Sequence, residues 1–211
     1  MQFLFIALIG IIMLFVIINL GWRILSQNFN LPCPSWLKWL VEFENPFIKS
    51  HQSSYILKNL NVKKGMKVLD VGCGPGRITI PLSRIVGTKG KVVAIDLQSK
   101  MLEAVKKKAV VNKLKNIECL NIPMGKGKLK KQNADRAVLA TVLGEIPEKE
   151  RALKEIYHSL KKGGILAITE LIFDPHFQLK GKVLNLAKHA GFKEKLFFGN
   201  KLAYTVYLKK Q

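Results

Sequence analysis

A chain of 211 residues holds one α/β domain with a full core plus an appendage. Lys and Arg number 35 against 14 Asp and Glu, a net charge of +21 that draws anionic partners, either a phosphate backbone or an acidic leaflet, without naming a substrate. Cys33, Cys73 and Cys119 are odd in number and scattered, which excludes a disulfide framework and a C-x-x-C metal pair and leaves reduced, cytosolic thiols.

The appendage comes first. Phe3 to Leu20 carries no charge, and only Gly10 and Asn19 interrupt its apolar run. As a helix it would reach roughly 27 Å, close to the thickness of a bilayer's hydrocarbon layer. A cleaved signal peptide is the competing reading, but Met1-Gln2 supplies no positive charge and Gly21-Trp22-Arg23 resembles an interfacial anchor. Residues 1–23 are therefore expected to be a transmembrane anchor in contact with membrane lipids. Arg23 and Lys38 follow the run and nothing basic precedes it, so the N-terminus is expected outside and the domain in the cytoplasm.

Residues 24–48 form the expected juxtamembrane linker. Pro32 and Pro34 interrupt it, and Ser35 can cap a short helix over Trp36 to Phe43. That helix would either lie among lipid headgroups or pack on the domain as a lid. The rest, residues 49–211, reads as one catalytic domain. A helix is expected around Ile48 to Leu60, then a polar turn at Asn61 to Gly65.

The buried strand Val68-Leu69-Asp70-Val71 runs straight into Gly72-Cys73-Gly74-Pro75-Gly76. Glycines at every second position let a backbone approach a ligand more closely than side chains permit. After a helix over Arg77 to Ile85, a second apolar strand, Val92 to Ile95, ends in Asp96, where a carboxylate can accept hydrogen bonds from both hydroxyls of a ribose. The pair implies a nucleoside cofactor. A dinucleotide fingerprint would need its third glycine where this chain has Arg77.

The elements beyond alternate. Ser99 to Asn112 is predicted helical, with Leu102, Val105 and Ala109 on one face, followed by strands at Ile117 to Leu120 and Asp135 to Thr141. Glu148 to Lys162 is predicted as a helix closed by Lys161-Lys162-Gly163, and Ile165 to Glu170 as the fifth strand. Leu179 to Ala190 is helical, and Leu196 to Asn200 begins a hairpin returning through Ala203 to Leu208. Alternation of this kind implies a parallel sheet covered on both faces, with one strand of the last hairpin antiparallel.

VLDVGCGPG followed by VVAID resembles motif I and the post-I acidic strand of class I S-adenosylmethionine-dependent methyltransferases. Leu160 to Gly164, Ile168-Thr169-Glu170 and Ala190-Gly191-Phe192 narrow the likeness to small-molecule methylases of ubiquinone and menaquinone biosynthesis. The resemblance implies a Rossmann-like, seven-stranded, mostly parallel sheet with S-adenosyl-L-methionine as cofactor. Carried over to this chain, it assigns cofactor binding to Asp70, Gly72, Cys73, Gly74, Gly76, Asp96, Leu97, Asn121, Ile122 and Thr141. Leu97 would wall the adenine, while Asn121 stands where the family often has an acid.

For an acceptor that needs a base, His176, Glu145 and Glu170 are the candidates at strand ends, and His176 is preferred for its ordinary pKa near neutrality. Each also has a plain structural reading as a cap or loop brace. No cluster has metal-ligand spacing, so no metal is expected. The expected function is methyl transfer to a small, lipophilic acceptor at the cytoplasmic face of a membrane. RNA is a second possible acceptor, suggested by runs such as Lys106-Lys107-Lys108, but no RNA-binding module accompanies them, and nucleic acid is not expected as a partner. A non-enzymatic membrane adaptor with a vestigial pocket is a third reading, opposed by the intact glycine bend.

Overall fold

The structure is a computed structural model that describes residues 2–29, 33–34 and 42–211, with the side chains at positions 2–4, 8, 12, 15, 16, 19 and 27–29 outside that description. The helix expected over Trp36 to Phe43 falls almost wholly outside the described residues.

Seven strands form one sheet: β1 (Lys67–Val71), β2 (Lys91–Asp96), β3 (Ile117–Asn121), β4 (Ala134–Ala140), β5 (Leu160–Leu171), β6 (Phe192–Gly199) and β7 (Ala203–Lys210). Their order across the sheet is β3-β2-β1-β4-β5-β7-β6. β1 pairs in parallel with β2 on one side and β4 on the other, while β7 runs antiparallel to both β5 and β6. The chain winds outward from β1 to β3, then returns to the far side of β1. Parallel crevices open at such a reversal, outside the carboxyl ends of β1 and β4.

Alternate strand residues face opposite layers. Val68, Val92 and Val138 pack with α2 (Ser53–Leu60) and α3 (Thr79–Val86), through Ile56, Leu60, Leu82 and Val86. Leu102 and Val105 of α4 (Ser99–Val111) cover Cys73 and Ala94 on that face. Leu69, Val71, Val93, Ile95 and Leu139 face α5 (Lys149–Ser159) and α6 (Lys180–His189), through Leu153, Ile156, Val183 and Ala187. Burying each of the larger aliphatic side chains stabilises the fold by roughly 1.5–3 kcal/mol, so the core is ample for one domain.

Several expected boundaries shift, each for a local reason. The helix expected around Ile48 to Leu60 is broken into a 3-10 turn, Lys49–His51, and α2, because Gln52 is extended (φ −70°, ψ 131°). The Gln52 amide donates to the carbonyls of Asn45 and Pro46, which holds the break in place. The helix expected to run to Lys162 stops at Ser159, because Leu160 pairs with Ala134 and starts β5. Lys210 Nζ donates to the carbonyls of Tyr157 and Leu160, supplying the cap that Gly163 was expected to give. The last hairpin starts at Phe192, four residues before the predicted Leu196, where Phe192 is drawn into the core.

The N-terminal region forms one long helix, α1 (Gln2–Phe29), of 28 residues. Phe5, Ile6, Ile11, Met13, Leu14, Ile17 and Ile18 on it are all exposed. Among the described residues no helix is long and apolar enough to cross a membrane, so the span expected at residues 1–23 is not found there. The helix meets the domain near its C-terminal end, where Arg23 Nη2 donates to the carbonyls of Ile172 and Asp174, both at 3.2 Å.

Candidate active site

The bend after β1 is tied to the end of β2 by its own backbone. The N–H groups of Gly72 and Cys73 both donate to the Ile95 carbonyl, at 2.8 and 3.0 Å. This places Asp96 under the bend, where its Oδ2 accepts from Gly74 N at 2.9 Å and its Oδ1 from Gln98 N at 2.8 Å. Gly72 and Gly76 sit at φ +67° and +97°, backbone that side chains rarely adopt. A Cβ on Gly72 would stand 2.4 Å from a Val142 methyl at the end of β4, so this glycine also makes room for the neighbouring strand.

A nucleoside cofactor fits this cradle. A carboxylate has about four acceptor positions, and the two backbone bonds to Asp96 leave places for two ribose hydroxyls. Burial raises the Asp96 pKa, while the amides of Gln98, Gly74 and Leu97 favour its charged form. Leu97, next in sequence, is 58% exposed and available as an apolar wall for a base. Ile122 is half-buried against the core below.

Four of the expected binding residues have side chains bonded or packed within the protein itself. Asp70 is only 2% exposed, and its carboxylate accepts from the Thr79 hydroxyl at 2.5 Å. Burial holds its pKa up at about 6. It braces the bend against the first turn of α3. The Cys73 side chain packs inward with Leu102 and Val105, leaving only its backbone at the bend. Asn121 donates through Nδ2 to the carbonyls of Asp96 and Leu97, so it clamps the end of β2 and has only its amide oxygen to offer an adenine amino group. Thr141, at φ +55°, turns its hydroxyl back onto the Ala140 carbonyl at 2.7 Å.

On the other side of the reversal, three acids crowd the ends of β4 and β5. Gly144 lets the loop after β4 lie against the loop after β5, since a Cβ there would fall 1.9 Å from the His176 carbonyl oxygen. Glu145 is thereby brought near Asp174. Burial first, then the charges of Asp174 and Asp96, push the Glu145 pKa up to about 8. Glu170 is 1% exposed; burial holds it at about 8, while its Oε2 accepts from Gln178 N at 2.9 Å. Asp174, raised by burial to about 6, accepts from the backbone N–H of His176 at 2.7 Å. His176 is 5% exposed, and its carbonyl accepts from the Gln178 amide at 2.7 Å.

The two sides are bridged by a residue that was not among the expected site residues. Cys33 N donates to Glu145 Oε1 at 3.4 Å, and the Cys33 carbonyl accepts from Gln98 Nε2 at 2.9 Å. Cys33 therefore bridges the crevice from the loop after β2 to the loop after β4. Nothing in its local sequence signals this, because both partners are more than sixty residues away. Asp174 was missed because Glu145 and Arg23, the charged groups beside it, come from other parts of the chain. Among the described residues, no group of three or more His, Cys, Asp or Glu is placed to hold a metal ion.

Comparison with known proteins agrees with this geometry. Residues 62–204 match the family described as Methyltransferase domain. Demethylmenaquinone methyltransferase of Staphylococcus aureus (strain MRSA252) is 35% identical over 115 residues, covering 54% of this chain and 47% of that protein. The same-named protein of Staphylococcus epidermidis (strain ATCC 12228 / FDA PCI 1200) is 35% identical over 121 residues, 55% of this chain and 47% of its own. The chain thus spans about half the length of the curated relatives it matches. Among solved structures, a SAM-dependent methyltransferase from Aquifex aeolicus superposes with a TM-score of 0.75 at 26% identity, covering 84% of this chain and 99% of the other. A SAM-dependent O-methyltransferase from Thermotoga maritima, 17% identical with a TM-score of 0.61 over 85% of this chain and 72% of its own, shares the fold alone.

Proposed function

The chain belongs to the methyltransferase-domain family of class I S-adenosylmethionine-dependent enzymes, and from that premise we propose that it methylates a small, lipophilic acceptor of quinone type drawn from a membrane. The observation that carries the proposal is the Asp96 carboxylate held by Gly74 N at the sheet's reversal. The acceptor class rests on the demethylmenaquinone methyltransferases it resembles.

S-adenosylmethionine supplies a methyl group already activated on a sulfonium. The protein's part is to align the acceptor and keep water out. Asp96 would hold the ribose, Leu97 would cover the adenine, and the backbone from Gly72 to Gly76 would approach the rest closely. Val142, which lies against Gly72, and Thr141 would form the floor toward the acceptor side.

Among the three candidate bases, Glu145 is best placed to take a proton from an acceptor hydroxyl or enol. It lies at the end of β4, feels the charge of Asp96, and is poised at about 8 by burial. Glu170 is committed to the Gln178 backbone. His176 packs behind Gly144 and is better read as holding that loop in register. Cys33, bonded to both halves, would limit the access of water there.

We read α1 as the membrane attachment. Support comes from the uncharged run Phe3 to Leu20 and from the exposed apolar side chains of the helix. The basic residues following it favour a cytoplasmic domain. Purified full-length protein, incubated with methyl-labelled cofactor and fractionated bilayer lipids, is expected to label a quinone-containing fraction. Label confined to RNA, or no transfer to any lipid fraction, would overturn the acceptor class.

A further inference from the structure

A cavity of about 440 Å³ opens beside the active site, at the same rim of the sheet but beyond β5. It lies between the turn before α2, the end of β5 and the tip of the β6–β7 hairpin, with Phe47, Tyr55, Ile172, Phe173, Phe198 and Leu202 among its walls. Three of these are not tucked into it. Phe47 is 92% exposed, Phe173 76% and Leu202 57%, so a single face of the domain carries three large apolar side chains around a shallow apolar hollow. Scattered exposed hydrophobics need no explanation, but a contiguous group around a hollow marks a contact surface.

Two further observations indicate what it contacts. The first is continuity with α1. The carbonyl of Ile172, a wall of the cavity, is one of the two that accept from Arg23 Nη2, so the apolar helix leaves the domain at this face. The second is charge. Exposed Lys49 and Lys201 stand at the edges of the same face, on a chain of net charge +21. That charge opposes association with a second copy of this chain and favours an anionic surface.

We propose that this face is a bilayer seat, with Phe47, Phe173 and Leu202 inserted among the lipids of an anionic membrane and Lys49 and Lys201 at the headgroups. The inference rests on the reading of α1 as a membrane attachment and adds the domain's own contact to it. Seated this way, the rim that carries Glu145 and Glu170 stands at the lipid boundary. A lipophilic acceptor would then pass from the bilayer to the end of β4 without crossing water.

The test uses the full chain with an environment-sensitive fluorophore on Leu202→Cys or Phe173→Cys, in a Cys33→Ser, Cys119→Ser background. Val111→Cys is the control: Val111 is 81% exposed on α4, at the opposite edge of the sheet. On phosphatidylglycerol vesicles, the probe at position 202 or 173 is expected to shift to the blue and to be quenched several-fold more by brominated lipid than the probe at 111. Vesicle flotation is scored in the same samples. Co-flotation with all three probes equally unquenched would overturn the seat while leaving the α1 attachment standing. Failure to float would remove both. A blue shift at 202 without vesicles, growing with protein concentration, would assign the face to a second copy and overturn the proposal.

Discussion

At the ends of β1 and β2, the two acids are met by donors. Asp96 receives two backbone N–H groups and Asp70 the Thr79 hydroxyl. At the ends of β4 and β5, Glu145, Glu170 and Asp174 lie close to one another, each accepting from a backbone N–H, and Glu170 Oε1 is buried with no hydrogen-bond partner among the described residues. One half of the rim is thus built to hold a fixed ligand group, and in the other burial lifts carboxyl pKa values, which makes each carboxylate a stronger base. A cofactor that is always the same suits the first, and an acceptor that must be desolvated and relieved of a proton suits the second.

The contrast breaks most sharply at Gly72, the contact between the halves. Gly72→Ala places a methyl against Val142 in a left-handed backbone and is expected to cost about 2–4 kcal/mol. Denaturant unfolding would measure this, and Gly72→Ala with Val142→Ala should recover part of the loss. A neutral Gly72→Ala would mean that the strand does not press on the bend.

Glu145→Gln should lower kcat about 10–100-fold while leaving cofactor affinity within about threefold, since Asp96 and the glycine bend carry the ribose. Its pH profile is the sharper readout. A base poised at about 8 makes kcat/KM rise through that pH in the wild type, and the rise should vanish in the variant.

Glu170→Gln tests the same half through stability. The folded pKa of Glu170, about 8, lies above its ordinary value of 4.5, so the native state keeps a proton that the unfolded chain releases. Stability from this group is present at low pH and is lost as pH rises from about 4.5 through 8. A glutamine cannot ionise, so the variant is expected to gain on the order of 1–3 kcal/mol over wild type at pH 9 and little at pH 4.5. Thermal melts at the two pH values would show it, and an equal shift at both would refute burial as the cause.

The smallest effect belongs to Leu97→Ala, expected to weaken cofactor binding about three- to tenfold through lost apolar contact with the base. Titration calorimetry with S-adenosylhomocysteine would resolve it.

The two halves also differed in how far the sequence revealed them. Gly72, Gly74, Gly76 and Asp96 were legible because the bend is local and the carboxylate ends the next strand of the same βαβ unit. Asp70 carries the motif yet serves as a brace, because spacing does not tell which face of a strand end a side chain takes. The acid cluster needs Gly144 and His176 in contact, and the bridge across the crevice needs Cys33 between Gln98 and Glu145. Such pairings depend on the folded sheet and leave no periodic trace. The seven strands were foreseen, but the ends of α2 and α5 shifted where Gln52 and Leu160 found tertiary partners stronger than helix propensity.

The most direct test of the account is calorimetric titration of full-length wild type and Asp96→Ala with S-adenosylhomocysteine and with its 2′-deoxy analogue. Wild type should bind the intact nucleoside at least about tenfold more tightly than the analogue, and Asp96→Ala should bind both weakly and alike. Equal affinity of wild type for the two ligands, or discrimination that survives in Asp96→Ala, would contradict a ribose held by this carboxylate.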